Sequence, residues 1–538
     1  MGISNIHPRS ARQTARLRQI VVISVICLAI YCFLLVPDES LDSSRSTNPE
    51  AYQSQVWPQR QREGGRHHAL SPDLLSNRFL TESQCRASFP GLLDQVDNEV
   101  AKGPFKLEPY PSNLGPLFAR IRDGQLYILS AARKADLSRD MLAHRSATLH
   151  QIANALLTWP RPASSPPSSA FSHIPDTIFA FNHHDDPIAK TFSYSRPADP
   201  KLLVTPDGEA KRFFPIPHFS SYSWALPFIG SLPRAARAIS KIEASLSFSQ
   251  KIPRAVWRGT TWFNNPRAGR LRQNLVRAFG PDSPGAGSHP WADIEALDWS
   301  PAGNGLNASN ALRIEDFCRY KYIIHTEGVT YSGRFQFHNL CASVVITPPV
   351  AWIQHVTHLL RPVFSYTLDP SAPDSLSPPP SSASSSRDSL RPLFSRFLSS
   401  PEPQHKETKT TGLPRRPIEL GGSEKSPSLS PYPAPWLRSA WPTEHDASEA
   451  NIVFVAPDWS DLNATVAWLE AHPQIAEGIA RRQRALFEDG GYFSPAAEMC
   501  YWRGLIQGWS KIVRIDDSVF HDLEEVTWEE FSLKEIHK

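Results

Sequence analysis

The sequence shows almost no excess of charge of either sign. Its 538 residues include 56 lysines and arginines and 53 aspartates and glutamates, which gives a formal net charge of +3 at pH 7. Proteins that bind nucleic acids through charge gather lysines and arginines into a dominant basic surface, and no basic stripe dominates this chain. We therefore expect no nucleic acid among its partners.

Cysteines are also scarce. The chain has six, of which Cys27 and Cys32 lie in an apolar run near the N-terminus. The other four are Cys85, Cys318, Cys341 and Cys500. None has the CxxC spacing of a zinc site, and the HExxH motif of zinc proteases is absent, so neither pattern predicts a metal centre. Four cysteines in an oxidising compartment allow three disulfide pairings, and four buried free thiols are the alternative.

The apolar run near the N-terminus, Ile20–Val36, is just long enough to span a bilayer if residues at its ends snorkel. Arginines precede it and carboxylates follow it, so the positive-inside rule leaves residues 1–19 in the cytosol and the rest of the chain in the lumen. This pattern predicts a transmembrane helix that acts as a single-pass type II signal anchor. A cleaved signal peptide is the alternative, but no small-residue cleavage pattern follows Val36.

Two stretches have too few apolar residues to fold. Residues 37–75 are polar and aperiodic, which is typical of a flexible stem. Residues 370–431 are rich in serine and proline and cannot bury enough apolar surface to offset their ordering entropy, so we expect a disordered insertion. Two sequons, at Asn307 and Asn463, are candidate N-glycosylation sites of a lumenal domain.

The rest of the chain alternates short strand-like runs with helical ones. Five runs are typical of buried strands: TIFAFN, AVWRG, YKYIIHT, SVVITPP and NIVFVAP. Helical periodicity marks NPRAGRLRQNLVRAF and residues 461–487, with Asp461 as a candidate N-cap. Such alternation predicts an α/β fold with parallel sheets. We expect two doubly wound domains facing a cleft, one formed by residues 76–240 and the other by residues 241–369 with 432–515.

One β–α connection suits an anionic ligand. In KYIIHTEGVTYSGRFQFHNLCASVVITPP, residues 321–349, we predict a strand, a tight loop and a helix that begins near Arg334. The N-terminal end of a helix attracts anions, Arg334 adds a guanidinium suited to phosphate, and Glu327 offers acceptors for ribose hydroxyl groups. The alternative is an ordinary β–α connection without a ligand.

Two further groups of polar residues follow predicted strands. Arg258 lies near the end of AVWRG, with hydroxyl groups and Arg267 after it. Two arginine-bearing loops at one crevice would neutralise a diphosphate, and the alternative is that Arg258 pairs with a surface carboxylate. Residues 183–186, His-His-Asp-Asp, follow TIFAFN. Neighbouring residues of an extended chain point to opposite faces, which disfavours a metal site, while an aspartate there suits a general base or a turn cap.

These three groups, in order, resemble blocks of one enzyme family. PDTIFAFNHHDDP, KIPRAVWRGTT and FCRYKYIIHTEGVTYSGRFQFHNLCAS are similar to blocks of the capsule-associated-protein-like and protein O-glucosyltransferase-like enzymes of glycosyltransferase family 90. LTESQCRASFPGL near Leu80 resembles the family's lead-in, and NIVFVAPDWSDLNATVAWL with AEMCYWRGLI resembles its close. The resemblance covers most of residues 79–513, apart from the Ser/Pro-rich insertion.

The resemblance implies a GT-B-like fold, with two Rossmann-like domains facing a cleft, and an inverting transfer of a sugar from a UDP donor without a metal ion or other cofactor. It places the catalytic carboxylate at Asp185, with Asp186 as the second candidate. It assigns the donor site to residues of the other two blocks: Arg258, Gly259, Thr260, Arg267, Glu327, Gly328, Ser332, Gly333 and Arg334.

The family's spacing, together with the expected topology, pairs Cys318 with Cys341 and Cys85 with Cys500. No endoplasmic-reticulum retention tetrapeptide stands at KEIHK, so we expect a Golgi membrane or another membrane of the secretory pathway. The sugar, glucose or xylose, and the acceptor, a polysaccharide or a glycoprotein, stay open. A catalytically inactive lectin-like protein on the same fold and a metal-dependent hydrolase built on residues 183–186 are the alternatives.

Overall fold

The structure, a computed structural model, describes residues 69–110, 114–161, 173–263, 270–300, 306–368, 432–520 and 523–537. The predicted anchor Ile20–Val36, the tail 1–19, the insertion 370–431 and the stem up to residue 68 lie outside these residues. Within the described ranges, no helix is long and apolar enough to cross a membrane. All described residues except 206–208 belong to one compact unit.

The described ranges contain sixteen strands and thirteen α-helices. The strands are β1 (Phe105–Lys106), β2 (Leu117–Arg122), β3 (Gln125–Ser130), β4 (Thr177–Phe181), β5 (Phe192–Ser193), β6 (Arg196–Pro197), β7 (Phe214–Pro215), β8 (Ile252–Gly259), β9 (Ala292–Ala296), β10 (Tyr320–Ile324), β11 (Val344–Thr347), β12 (Trp352–Ile353), β13 (Pro362–Phe364), β14 (Ile452–Phe454), β15 (Val513–Arg514) and β16 (Val526–Thr527). The helices are α1 (Pro72–Ser76), α2 (Glu82–Ser88), α3 (Asp94–Ala101), α4 (Arg139–Leu157), α5 (Leu232–Ser245), α6 (Leu271–Phe279), α7 (Phe335–His338), α8 (Pro435–Ala440), α9 (Leu462–Ala471), α10 (Pro473–Arg484), α11 (Pro495–Ile512), α12 (Asp517–Phe520) and α13 (Trp528–His537).

Six of these strands form a parallel sheet. Its strand order is β13-β14-β11-β10-β8-β9, and all five neighbouring pairs are parallel. Helix α6 lies between β8 and β9 in the chain, and α7 lies between β10 and β11. Strands β11 and β14 are buried along their whole length, which explains their continuous apolar runs in the sequence. Four of the five predicted strands and the predicted parallel arrangement are confirmed in this sheet.

A second sheet of six strands is mixed. Its order is β16-β3-β2-β4-β5-β7; the first three pairs are antiparallel and the last two are parallel. The predicted strand TIFAFN is β4. Strands β2 and β3 form a hairpin whose turn, Asp123-Gly124, has positive φ at both residues, the requirement of a type I′ turn. Strands β2 and β3 are antiparallel to their neighbours, so the doubly wound parallel arrangement predicted for residues 76–240 does not extend to them.

Several helices differ from the sequence expectation. The periodic stretch 461–487 forms two helices, α9 and α10, because Pro473 cannot donate a backbone N–H to a continuing helix. Asp461 stands at the N-cap position of α9, but its carboxylate accepts hydrogen bonds from Ala456 N at 2.9 and 3.1 Å instead of capping the first turn. The helix predicted after Arg334 is one turn, α7. Helix α1 begins at Pro72, inside the predicted stem.

The long C-terminal helix α11 packs against the mixed sheet. Its Trp509 donates from Nε1 to the Ile178 carbonyl of β4 at 2.9 Å, and its Trp502 donates to Gln151 Oε1 of α4 at 3.1 Å. Both indoles are fully buried, so the hydrogen bonds satisfy the polar atoms that burial would otherwise leave without water. Residues assigned by sequence to the second domain thus cover the sheet of the first.

Both predicted disulfide bonds are present. Cys85 on α2 bonds Cys500 on α11, with Cα atoms 5.5 Å apart. Cys318, just before β10, bonds Cys341, just after α7, with Cα atoms 4.9 Å apart. The first bond closes a sequence separation of 415 residues, and the second closes one of 23 residues that contains β10 and the loop after it.

Candidate functional site

A cavity of about 520 Å³ lies where the loops after β4, β8 and β10 meet. Its lining includes Asp185 after β4, Gly259 and Thr260 at the end of β8, and Gly328 and Arg334 after β10. This volume falls in the range of small-molecule sites. Each of the three polar groups of the sequence therefore contributes some of its residues to one cavity, at the carboxyl ends of strands from both sheets, where ligands of open α/β sheets bind.

The loop after β10 is held by its own hydrogen bonds and by the opposite wall. Gly328 donates its backbone N–H to the carbonyl oxygens of Thr330 and Tyr331 at 3.0 and 3.1 Å. Thr330 donates from Oγ1 to the Asp185 carbonyl at 2.8 Å, which ties this loop to the turn after β4. A Cβ atom at Gly333 would lie 2.4 Å from His218 Nε2, so any larger residue would require the His218 ring to shift.

Two arginines give the cavity its positive charge. Arg334 donates from Nη1 to the Arg258 carbonyl. Arg272, in the first turn of α6, is buried, and its guanidinium donates to the carbonyls of Glu327 and Thr260 at 2.9 and 3.0 Å. Burial lowers the pKa of Arg334 to about 10 and, with the nearby Arg334 charge as a second cause, the pKa of Arg272 to about 9. An anion between them would stabilise both charges.

Arg272 is a site residue that the sequence analysis missed. The motif Trp257-Arg258-Gly259 and the loop after it do not include Arg272, which lies thirteen positions beyond Gly259 inside a run of helical periodicity. The reasoning applied to Arg334, an arginine at the start of a helix that follows a strand, would also have selected Arg272.

Arg258 does not line the cavity. Its guanidinium donates to Asp293 Oδ1 at 2.7 Å and to Glu295 Oε1 at 3.1 Å, both on the neighbouring strand β9. Arg258 stands opposite Glu295 in the register of the two parallel strands, so its guanidinium lies beside the carboxylates of β9, and the ion-pair alternative describes this residue. We correct its assignment accordingly. Arg267 lies outside the described residues.

Glu327 is also placed away from the cavity wall. Its side chain is buried, and its carboxylate accepts hydrogen bonds from the backbone N–H groups of Ala351 at 3.1 Å and Trp352 at 2.9 Å. Burial raises its pKa to about 8, against these two hydrogen bonds and the charge of Arg272, which lower it. The sequence analysis assigned to Glu327 a contact with the ribose. In the structure its carboxylate instead contacts the segment that leads into β12.

Asp185 and Asp186 stand on an exposed turn after β4, and only Asp185 lines the cavity. Asn182 shapes the turn: its Oδ1 accepts from His184 N at 3.1 Å, and its Nδ2 donates to the Asp186 carbonyl at 2.6 Å. Such an asparagine turn fixes the backbone, and the side chains of both aspartates are exposed to solvent.

The two histidines of this turn are not among the residues that line the cavity. His183 is buried, and burial lowers its pKa to about 2. His184 donates from Nε2 to the Leu114 carbonyl at 3.0 Å, and burial lowers its pKa as well. Among the described residues, the group of three side chains with the spacing of metal ligands is Glu243 with Cys318 and Cys341, whose sulfurs are bonded to each other.

Aromatic side chains form another part of the wall that no sequence motif marked. Trp262 and Phe263 follow the β8 strand end and are 64% and 37% exposed, with ring centroids 5.9 Å apart. Trp299 donates from Nε1 to Thr260 Oγ1 at 3.0 Å, which fixes the hydroxyl group of a predicted site residue. Ser332 lines the cavity too. Single aromatic residues in loops follow no periodic pattern, so no sequence pattern groups them at one site.

The two predicted glycosylation sites lie outside the cavity. The side chains of Asn307 and Asn463 are exposed. Asn463 stands near the start of α9, and its Oδ1 accepts a hydrogen bond from Trp291 Nε1 at 2.8 Å. Glycosylation of either residue stays a prediction.

Comparison with known proteins supports the family resemblance. Residues 168–372 match the model of glycosyl transferase family 90. The matched range contains Asp185, Arg272 and the loop from Gly328 to Arg334. The resemblance of the segments near Leu80 and after residue 450 lies outside this match and stays a prediction. No curated protein matches the chain.

Proposed function

We propose, from the match of residues 168–372 to the glycosyl transferase family 90 model, that the chain transfers a sugar from a UDP donor to a hydroxyl group of a polysaccharide or glycoprotein. The observation that carries the proposal is a single cavity with an exposed aspartate, Asp185, on one wall and two buried or half-buried arginines, Arg272 and Arg334, on the other. The transfer inverts the anomeric carbon and requires no metal ion.

The two sheets take the roles of the two halves of a GT-B enzyme in this proposal. The parallel sheet binds the donor, because the loops after β8 and β10 present the arginines. The mixed sheet supplies the base on the turn after β4. Support comes from the position of the cavity at the carboxyl ends of strands from both sheets.

The diphosphate of the donor binds between Arg272 and Arg334. Two guanidinium groups with lowered pKa values gain stability when a dianion approaches them, and charge-assisted hydrogen bonds to phosphate are about twice as strong as neutral ones. The hydroxyl groups of Thr260 and Ser332 line the same cavity and supply neutral donors. Glycine at position 333 lets the backbone approach the ligand closely.

The reaction is a single displacement. Asp185 accepts the proton of the acceptor hydroxyl group as its oxygen forms a bond to the anomeric carbon. The bond from that carbon to the phosphate oxygen breaks, and its electron pair leaves with UDP. Positive charge develops on the sugar and negative charge on the phosphate, where Arg272 and Arg334 stabilise it. One such preorganised contact typically contributes about hundredfold or more to the rate.

The aromatic mouth of the cavity suits a carbohydrate acceptor. Trp262 and Phe263 expose uncharged ring faces there, and an exposed apolar surface at a cavity mouth is typical of a binding surface. Sugar rings present C–H groups that pack on such faces. Glucose or xylose is the donated sugar, and a Golgi or other secretory-pathway membrane, reached through Ile20–Val36, is the location we propose.

The test is UDP release by the purified lumenal region with UDP-glucose or UDP-xylose, with glycan acceptors, and with and without EDTA. We expect acceptor-dependent UDP release that EDTA does not change. EDTA-sensitive cleavage without sugar transfer would favour a metal-dependent hydrolase. Glycan binding without turnover of either donor would favour a lectin-like protein.

A further inference from the structure

Glu327 stands between the cavity loop and a strand pair that joins the two halves of the molecule. Its carboxylate accepts hydrogen bonds from Ala351 N and Trp352 N, at 3.1 and 2.9 Å. Trp352 begins β12, which pairs antiparallel with β6; Trp352 stands opposite Pro197. Strand β6 lies in the chain between β5 and β7 of the mixed sheet. One carboxylate therefore fixes a segment that connects both sheets.

The backbone of the same residue holds the donor-site arginine. The Glu327 carbonyl accepts a hydrogen bond from Arg272 Nε at 2.9 Å. The next residue, Gly328, lines the cavity, and a Cβ atom there would lie 3.4 Å from Arg272 Nη2. Any movement of Glu327 thus moves an acceptor of the guanidinium that faces the ligand.

The charge of Arg272 acts on the Glu327 carboxyl group. Burial raises the pKa of Glu327 to about 8, while the amides of Trp352 and Ala351 and the positive charge of Arg272 lower it. On the β12 side the groups that face Glu327 are uncharged backbone amides. On the α6 side the charged group that acts on Glu327 is Arg272. Asp185 and Arg334 act in turn on Arg272, the first raising its pKa and the second lowering it.

We propose that Glu327 is a positioning residue of the donor site and takes up a proton when a nucleoside diphosphate binds at Arg272 and Arg334. This inference rests on the proposed function, since it requires the diphosphate at these two arginines. The positive charge of Arg272 stabilises the ionised carboxylate of Glu327. The negative charge of a bound diphosphate offsets this effect, so binding raises the pKa of Glu327 and favours its protonated form. A protonated carboxyl group keeps its carbonyl oxygen as an acceptor for the Ala351 and Trp352 amides, so the strand pair stays fixed.

The sign of the pH effect follows from linkage. Because binding takes up a proton, donor affinity must fall as pH rises. Well below pH 8, Glu327 is protonated with and without donor, and its ionisation does not affect binding. Above pH 8 the free protein holds the ionised form, and affinity falls by up to about tenfold per pH unit until the pKa of the complex is reached. The terminal phosphate of UDP, with a pKa of about 6, is already ionised over this range.

The experiment is titration calorimetry of UDP binding near pH 8 in buffers with different ionisation enthalpies, which counts the protons taken up. For the wild type we expect up to about 0.6 proton per UDP: up to about half a proton from Glu327, which is half ionised before binding when its pKa is near the working pH, and about a tenth from Arg272. In Glu327→Gln we expect about a tenth of a proton, the share of Arg272 with its pKa of about 9. The glutamine keeps a carbonyl acceptor for both amides.

A matched control is Glu498→Gln. Glu498 is another carboxyl group whose pKa burial raises, in its case to about 7, but it lies on α11 and does not line the cavity. Its variant should take up as many protons as the wild type. A thermal melt checks that each variant is folded. If Glu327→Gln is not, the UDP dissociation constant of the wild type decides: between pH 7 and pH 9 it should rise by about tenfold or more, beyond the rise of about twofold that deprotonation of Arg272 alone would cause.

Proton uptake near zero in the wild type, equal uptake in the wild type and Glu327→Gln, or a dissociation constant that rises by no more than about twofold between pH 7 and pH 9 would overturn this inference while leaving the proposed function in place. A wild-type protein that binds no UDP would instead overturn the proposed function, and this inference with it.

Discussion

The two walls of the cavity are held in opposite ways. On the side of the parallel sheet, Arg272 is buried and bound by backbone carbonyls, and the Cys318–Cys341 bond encloses the loop that carries Arg334. On the side of the mixed sheet, Asp185 stands on an exposed turn shaped by one asparagine. The charges on the first wall are fixed in place, whereas the carboxylate on the second is open to solvent.

This difference fits the two tasks of a glycosyl transfer. Stabilising a departing diphosphate is most effective when the positive groups are oriented beforehand, because they then need no reorganisation during the reaction. A general base must instead receive a proton from an incoming acceptor and pass it to water, which an exposed carboxylate does. Variants on the arginine wall should therefore change donor binding, and variants on the aspartate wall should change the rate.

The largest effect is expected on the aspartate wall. Asp185→Asn keeps the shape of the side chain but removes the base, so sugar transfer should fall by about hundredfold or more. The UDP dissociation constant should stay within about twofold. Asp186→Asn is the matched control, because Asp186 is on the same turn and does not line the cavity. Loss of transfer in the control but not in Asp185→Asn would move the base to Asp186.

The disulfide on the arginine wall gives the second comparison. Replacing Cys318 and Cys341 together by alanine should lower the free energy of unfolding by about 3 kcal/mol in the chain-entropy model, measured by urea denaturation. It should also weaken UDP binding, because the bond closes the segment that holds the cavity loop. Replacing Cys85 and Cys500 should lower stability with little change in UDP affinity. Equal effects of both double variants on UDP binding would show that the Cys318–Cys341 bond does not specifically hold the loop that carries Arg334.

Arginine variants separate the corrected assignment from the sequence assignment. Arg272→Gln should raise the UDP dissociation constant by about ten- to a hundredfold, since hydrogen bonds to a charged group contribute about 1.5–3 kcal/mol. Arg258→Gln should lower the melting temperature, because it removes the guanidinium that donates to Asp293 Oδ1 at 2.7 Å, and change UDP binding by less than about twofold. A UDP affinity that falls as far in Arg258→Gln as in Arg272→Gln would restore the sequence assignment.

The smallest expected effect concerns close packing between the walls. Gly333→Ala would place a Cβ atom 2.4 Å from His218 Nε2 and 3.0 Å from Trp224 Cη2, so these rings must move. We expect a loss of at least about 1 kcal/mol in stability and weaker UDP binding. Gly287→Ala is the control, since its Cβ atom would meet nothing within 4 Å. Indistinguishable melting curves for the two variants would show that the contact at Gly333 relaxes freely.

Much of the parallel sheet could be predicted from the sequence because its strands are buried on both faces and therefore form continuous apolar runs. The mixed sheet was harder. Its strands β5 and β7 are two residues long, and β2 and β3 depend on a hairpin turn at Asp123-Gly124. Helix α7 was predicted too long. The apolar residues after Arg334 are buried in the core as predicted, but only Phe335–His338 are helical.

The site could be predicted to the level of its loops and not of its side chains. The sequence predicted correctly that Asp185, Gly259 and the loop that begins at Gly328 lie at the carboxyl ends of strands and near one another. This was possible because the carboxyl ends of parallel strands lie at one edge of a sheet. It did not show that the Arg258 and Glu327 side chains turn to β9 and to the β12 segment, since their partners are far away in the chain. Such partners are fixed by tertiary packing alone.

The measurement that tests the central claim most directly is the anomeric configuration of the product, read by proton NMR after reaction with UDP-glucose, whose sugar is α-linked. A single displacement assisted by Asp185 predicts a β-linked product that appears in step with free UDP. An α-linked product, or UDP that appears together with free glucose and no new glycosidic bond, would contradict an inverting transfer in this cavity.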